Sequence, residues 1–221
     1  MSSALHDVTV VAASLLVVSV LVLAARAAGR SGRVPAPMLR KSLHAAVGAA
    51  TLIFTPLFHQ LAWALVPPVL FGLVNLSRRS RSLLPGMADT PEEARGLWTF
   101  PLGVTLAYLF FWEEGTRRAI LAGLVALAFA DPLAAIVGSR YGQRRLRGFG
   151  HGRTLEGSLA FFLIAAVGAG IVAAGSGGGA FPWRMGVGCG LAGAAAESIT
   201  PSGWDNVTIP LAVAAAYRLL G

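Results

Sequence analysis

The sequence is poor in the groups that soluble and secreted proteins use to stay folded in water. Of its 221 residues only 13% are charged, and Asp and Glu together number 10. A single cysteine, Cys189, excludes an intrachain disulfide and a cysteine-based metal site. It stands in an apolar, glycine-rich run and is interpreted as a packing residue. So little charge excludes an ordinary soluble domain of this size.

Apolar residues, 55% of the chain, take the place of charge. They form eight runs, several shorter than the ~20 residues that span a bilayer comfortably. The runs are Val8–Ala28, Leu43–Phe58, Leu61–Leu76, Leu97–Trp112, Ala119–Val137, Leu159–Ala174, Met185–Ala196 and Val207–Leu220. They predict an all-α fold: a polytopic membrane bundle of about seven or eight transmembrane helices, with residues 1–221 as a single integral membrane domain.

The basic residues predict an orientation. The net charge of +8 would suggest nucleic acid as a partner of a soluble protein, but here no nucleic-acid partner is expected. Most basic residues fall in alternate connections between the runs, at Arg30, Arg33, Arg40, Lys41, Arg78, Arg79, Arg81, Arg95, Arg140, Arg144, Arg145, Arg147 and Arg153. By the positive-inside rule these connections are cytoplasmic, in a prokaryotic inner or plasma membrane.

Three cationic side chains lie at the start of the second predicted helix, on the expected cytoplasmic side. Arg40 and His44 are four residues apart and share a helix face with Gly48, while Lys41 and His44 are three apart. Glycine there would permit a close neighbour. The group is either a basic collar with a hydrogen-bonded histidine, or a clamp for the phosphate of a nucleotide or lipid.

Three carboxylates come to the same expected face. Asp131 stands late in the fifth run, where a charge is costly; it is a structural partner for an arginine, a magnesium ligand, or the general base for a hydroxyl. Glu197 ends the seventh helix and Asp205 begins the eighth, where it would cap the helix. Together with Glu156, these acids are also candidates to hold one or two Mg²⁺, or another divalent cation, against a triphosphate.

Residues 139–158 form a Gly/Arg-rich connection, predicted to be a cytoplasmic nucleotide-binding loop. Glycines such as Gly150 and Gly152 let backbone amides approach phosphate oxygens, and Arg153 is a bidentate donor at a helix start that Thr154 can cap. A flexible loop without a ligand is the alternative. The segment is not a Walker A loop, because the Gly-Lys-Ser/Thr ending is absent.

Five ordered motifs cover most of the chain from residue 40 onward. They are Arg40-Lys41-x-x-His44-x-x-x-Gly48, Phe100-Pro101-Leu102-Gly103, Asp131-Pro132-x-Ala134-Ala135-x-x-Gly138, Arg153-Thr154-Leu155-Glu156-Gly157-Ser158 and Glu197-Ser198-x-x-Pro201-x-Gly203-x-Asp205-Asn206-x-x-x-Pro210. In this order the sequence resembles the membrane family of CTP-dependent lipid-alcohol kinases, which includes dolichol kinase, phytol kinase and the yeast-type diacylglycerol kinase.

The resemblance implies CTP as co-substrate, a divalent metal, and a lipid alcohol arriving from the bilayer: a polyprenol or dolichol, a phytol-like isoprenoid, or diacylglycerol. A homodimer is left open. The predicted catalytic residues are Lys41, His44 and Asp131, and the predicted metal ligands are Asp131, Glu197 and Asp205. The predicted nucleotide-binding residues are Arg40, Gly150, Gly152, Arg153, Thr154, Glu156, Gly157 and Ser158.

Two other functions compete with a kinase. Phosphatidate cytidylyltransferases share the Arg/Lys-Ser/Thr-x-Glu-Gly element, but their family ends in Pro-Gly-His-Gly-Gly, where this chain has Pro201-Ser202-Gly203-Trp204-Asp205-Asn206. A small transporter would place charges near the midplane and often shows inverted repeats. Here the charges gather toward one face and no repeat is visible, so the sequence favours the kinase.

Overall fold

A computed structural model describes residues 3–76, 90–113, 116–146, 152–175 and 181–221. In these residues the regular structure is helical, with no strand. The helices are α1 (Ser3–Arg30), α2 (Ala36–Phe54), α3 (Leu61–Leu76), α4 (Pro91–Phe111), α5 (Arg117–Val125), α6 (Asp131–Tyr141), α7 (Leu155–Ala174), α8 (Trp183–Ile199) and α9 (Asp205–Leu220). A 3₁₀ turn, Thr55–Leu57, follows α2, and a π turn, Ala126–Ala130, joins α5 and α6 into one continuous helix.

The all-α prediction is confirmed, since every predicted apolar run overlaps a helix. Within the described residues, three helices are long and apolar enough to cross a membrane: Ser3–Arg30, Arg117–Tyr141 and Leu155–Ala174. Leu61–Leu76 is apolar but shorter. The number of seven or eight transmembrane helices therefore stays a prediction, whereas the membrane character of the chain rests on these three spans.

Small residues let the helices approach closely around the polar end of the bundle. A Cβ added to Gly48 would lie 2.5 Å from that of Ala128, so α2 packs directly on the π turn. This confirms the prediction that Gly48 permits a close neighbour. A Cβ on Gly103 would overlap the backbone carbonyl of Asn206, so α4 packs equally closely on the start of α9.

One end of the bundle gathers the starts of α2, α4, α7 and α9, the ends of α3 and α8, and the short helix α6; we call it the site face. Contacts across it include Lys41 with Asp131 and Arg153 with Asp205. The predicted loop 139–158 is shorter in the structure. Residues 139–141 continue α6 and 155–158 begin α7, because Thr154 starts that helix one turn earlier than hydrophobicity alone indicates. Residues 147–151 lie outside the described part of the chain.

Candidate active site

The π turn before Asp131 determines how this carboxylate is presented. The Asp131 amide donates to the carbonyl of Ala126 instead of to Leu127, and Pro132 has no amide proton to donate. The Leu127 carbonyl, left without these two helical donors, accepts a hydrogen bond from His44 Nε2 at 2.9 Å. Because a carbonyl only accepts, Nε2 carries the ring proton. His44 is thereby fixed in one tautomer beside Asp131.

Asp131 faces a cationic wall formed by α2. Lys41 Nζ lies 3.2 Å from Asp131 Oδ2, and His44 Nε2 lies 4.0 Å from the same oxygen. The Asp131 side chain is only 11% exposed, so the Lys41 charge is not strongly screened by water. The ring of Phe100 packs edge-on against His44, with centroids 4.8 Å apart. The structure thus brings the three predicted catalytic residues together.

Arg40, predicted to bind nucleotide, is paired with Glu93 of α4. Glu93 also forms a capping box: its carboxylate accepts the Thr90 amide at 3.1 Å, and the Thr90 hydroxyl accepts the Glu93 amide at 3.3 Å. The guanidinium is therefore held at the start of α4, on the site face. Sequence reasoning missed this partner, although the Thr90-x-x-Glu93 spacing is a recognisable capping signal.

Arg153 joins two of the predicted metal ligands. Its Nε lies 3.0 Å from Glu197 Oε1, and its Nη2 lies 3.5 Å from Asp205 Oδ2. Ser158, one turn into α7, donates to Glu197 Oε2 at 3.2 Å. The third guanidinium nitrogen, Nη1, is buried and has no hydrogen-bond partner among the described residues. A buried, unpartnered donor on a cation is suited to an anionic ligand.

The two carboxylate oxygens of Asp205 bind different partners. Oδ1 accepts the amides of Gly203 and Asn206 at 3.1 and 3.0 Å, while Oδ2 faces Arg153. Gly203 has φ of +87°, a conformation in which its amide can point back at the carboxylate. Burial, together with the negative charge of Asp131, raises the pKa of Asp205 above its ordinary value. The residue therefore organises the start of α9 and also contributes charge to the site; the N-cap position itself is taken by Trp204.

Hydrogen bonds of Asn206 and Thr99 hold α9 against α4 beneath this site. Asn206 Nδ2 donates to Thr99 Oγ1 at 3.2 Å and to the Gly96 carbonyl at 3.3 Å, and Thr99 Oγ1 lies 2.5 Å from the Gly203 carbonyl. Thr99 carries no local sequence signal and was missed. Its role depends on a neighbour more than one hundred residues later in the chain.

Residues that follow Arg153 hold the loop in place. Thr154 Oγ1 accepts the Gly157 amide at 3.1 Å, which confirms the predicted cap of α7. The Glu156 carboxylate accepts the Arg144 amide at 3.3 Å, so it turns toward the loop, and no described contact joins it to the other acids. Gly152 has φ of +89°, while Gly150 lies outside the described residues. Nucleotide binding by these residues stays a prediction.

A cavity of about 160 Å³ opens at the site face between these elements. Its polar lining includes five predicted site residues, Arg40, Lys41, His44, Asp131 and Asp205, together with Glu93 and Asn206. Arg153 and Glu197 adjoin this group through Asp205 but do not line the cavity. Apolar walls close its inner side. The cavity thus combines cations for a phosphate, carboxylates for a proton or a metal ion, and apolar surface for a hydrocarbon.

The acids fit a hard divalent cation by their chemistry, since Mg²⁺ binds through carboxylate oxygens. In the structure, however, Asp131 is neutralised by Lys41 and the other two acids by Arg153. Within the described residues only His6, Asp7 and His59 bring three possible ligand atoms within 4.8 Å of one another. That group is remote from the site face, and Asp7 there accepts the amides of His59 and Gln60, so it serves as a helix-start acceptor.

A bundle of apolar helices with a charged, partly apolar cavity at one end defines a helical membrane protein whose site suits an amphipathic ligand. Comparison with known proteins refines this. The chain is 28% identical to a phytol kinase of Synechocystis sp. over 90% of its own length and 88% of the relative's. This homology confirms the resemblance seen in the sequence motifs and supports membership of the lipid-alcohol kinase family.

A second relative is an uncharacterized protein of Methanocaldococcus jannaschii. It is 29% identical over 45% of this chain and 44% of its own length. No family model and no solved structure matches the chain.

Proposed function

We propose that the protein transfers the γ-phosphoryl group of CTP to the hydroxyl of a long-chain lipid alcohol at the cytoplasmic face of a membrane. The observation that carries the proposal is the cavity in which Lys41, His44 and Asp131 converge, in a homologue of phytol kinase. The relative is named for phytol, which is an isoprenoid alcohol. A substrate of this kind suits the apolar inner wall of the cavity better than a water-soluble substrate does.

The chemistry assigned to Asp131 is proton acceptance. The lipid hydroxyl oxygen bonds to the γ-phosphorus, the bond from that phosphorus to the β–γ bridging oxygen breaks, and CDP leaves. The hydroxyl proton passes to Asp131 Oδ2, whose present partner is Lys41 at 3.2 Å. Lys41 is the only lysine of the chain, and its compact ammonium on a flexible stem can follow the phosphate while the carboxylate takes up the proton.

His44 is a positioning residue in this mechanism. Its Nε2–H is occupied by the Leu127 carbonyl, so the ring orients the π turn that carries Asp131. Arg153, with its unpartnered Nη1, is assigned to the phosphates, where charge develops on the transferring group. A bound Mg²⁺ would add neutralisation of phosphate charge, and Asp131, Glu197 and Asp205 are the residues proposed to hold it.

The decisive experiment follows two labels of CTP with purified protein and a panel of lipid alcohols and phosphatidic acid. A kinase moves γ-label into the lipid and releases CDP. A cytidylyltransferase moves the cytidine into the lipid and releases γ-label as pyrophosphate. Label from the α-phosphate in the lipid product would overturn the proposal in favour of the cytidylyltransferase.

A further inference from the structure

A second cavity adjoins the charged one on the inner side of the bundle. It measures about 50 Å³ and lies between α1, α2, α3 and α4. Of the described residues that line it none is charged; Val18, Phe54, Ala64, Val104 and Tyr108 are representative. We call it the apolar chamber. An apolar chamber inside a small bundle is a candidate site for hydrocarbon.

The apolar chamber and the charged cavity share part of their walls. Val47 of α2, Phe71 of α3 and Phe100 of α4 line both spaces, and we call these three residues the neck. On one side of the neck are Lys41 and Asp131. On the other side the lining becomes apolar. The two cavities are therefore adjacent compartments, a polar one and an apolar one, separated by the neck.

Helix geometry gives the depth of the apolar chamber. Ala64 precedes Phe71 by seven residues on α3, which is about 10 Å along the axis, and Tyr108 follows Phe100 by eight residues on α4, about 12 Å. Tyr108 is 2% exposed, and its hydroxyl lies 2.7 Å from Thr55 Oγ1. This hydrogen-bonded pair lies at the chamber's far end, so the chamber has a defined depth.

We infer that the apolar chamber binds the segment of the hydrocarbon tail next to the hydroxyl of the lipid alcohol, which enters through the neck. This inference rests on the proposed function. A molecule with a hydroxyl at one end and hydrocarbon behind it matches the order of the two compartments. The tail gains little by exchanging lipid for protein, since both are apolar. What the chamber supplies is orientation: a held tail keeps the hydroxyl beside Asp131.

The test fills the apolar chamber and leaves the charged cavity intact. Ala64→Leu adds bulk at a fully buried lining position, and Ala62→Leu makes the same change on the exposed side of α3 as a matched control. With geranylgeraniol as acceptor, we expect kcat/KM of Ala64→Leu to fall by about tenfold or more, the scale of a small steric misfit in an apolar pocket. The KM for CTP should stay within about twofold of wild type.

Thr51→Leu, on the opposite wall, is the second variant and covers the case in which Ala64→Leu folds poorly. A diazirine placed on the hydrocarbon far enough from the hydroxyl to lie beyond the neck adds a binding readout, because its crosslinks in wild type should map to 64–68 or 104–108. Crosslinks confined to lipid-facing residues such as Leu70 and Leu73 would overturn the inference.

The two proposals fail in different ways. If wild type phosphorylates no lipid alcohol, the proposed function is wrong. If wild type phosphorylates geranylgeraniol and both filled variants do so equally well, the kinase assignment stands and the apolar chamber does not bind the tail.

Discussion

Arg153 offers the sharpest test of the site, because its stabilising and ligand-binding roles have different readouts. Its side chain is 12% exposed, and those of its partners Glu197 and Asp205 are 10% and 16% exposed. Arg153→Ala leaves both carboxylates without their cation. Truncating one partner of a buried pair costs ~3–5 kcal/mol, and the contacts that Ser158 and the amides of Gly203 and Asn206 still make favour the lower end.

A loss of ~3 kcal/mol corresponds to a fall in Tm of roughly 6–12 °C for a chain of this size. The ligand effect is separate. If Nη1 of Arg153 contacts a CTP phosphate, removing that charged hydrogen bond costs ~1.5–3 kcal/mol, which raises the KM for CTP by roughly 10- to 150-fold. Arg153→Lys restores charge without the planar fork and should recover part of both losses.

The assay measures Tm and initial rates with γ-labelled CTP on the same folded, monodisperse preparation. Arg117→Ala is the control, because Arg117 is another partly buried arginine, bonded to the Phe58 and His59 carbonyls and stacked on Trp112 at 4.4 Å. It lies at the end opposite the site face. Arg117→Ala should lower Tm and leave the KM for CTP unchanged. An Arg153→Ala protein that is equally folded and has a wild-type KM would refute the phosphate contact.

Three further predictions concern the same site. Asp131→Asn should fold, since the shape is kept and Lys41 can turn toward water, but turnover should fall by about 10²-fold or more. Turnover and Tm are measured on one preparation, and near-normal turnover would mean that another residue accepts the proton. Removing divalent cations with EDTA should abolish transfer and added Mg²⁺ should restore it, as measured by phosphorylated lipid; full activity in EDTA would leave the three acids with a structural role. A cysteine at Gln143 should react with impermeant maleimide in permeabilised cells or inside-out vesicles but not in intact cells, against low background from the buried Cys189; labelling in intact cells would invert the predicted orientation.

The helices could be predicted from the sequence, because burial in an apolar medium requires continuous apolar runs and these are local. The meeting of Lys41, Asp131, Arg153 and Asp205 could also be anticipated, since short connections alternate between the two ends of a bundle. Pairings across the bundle could not. Arg40 with Glu93 joins residues 53 positions apart, and nothing in the spacing of either one selects the other.

Glu156 shows what a local pattern leaves open. This acid, three residues after Arg153, is predicted to bind nucleotide and to join the other carboxylates around a metal ion, and both roles stay predictions. In the structure it lies in the first turn of α7 and accepts the amide of Arg144, which the loop presents without a helical partner. The sequence does not show which loop amide lacks a hydrogen-bond partner until the fold of the loop is known.

The π turn at 126–130 also determines how the helix that carries Asp131 is rotated about its own axis. An α-helix advances about 100° per residue, and a π turn accommodates roughly one additional residue in the turn. Residues 117–125 and 131–141 are therefore two sections of one continuous helix whose side-chain positions are rotated relative to each other about the helix axis. The first presents Gly123 to the Pro210 carbonyl of α9, and the second presents Gly138 to Thr154 at the start of α7. Shortening the turn by one residue would remove this rotation between the two sections and turn Asp131 away from Lys41. The number of residues in the π turn therefore determines the direction in which the Asp131 carboxylate points.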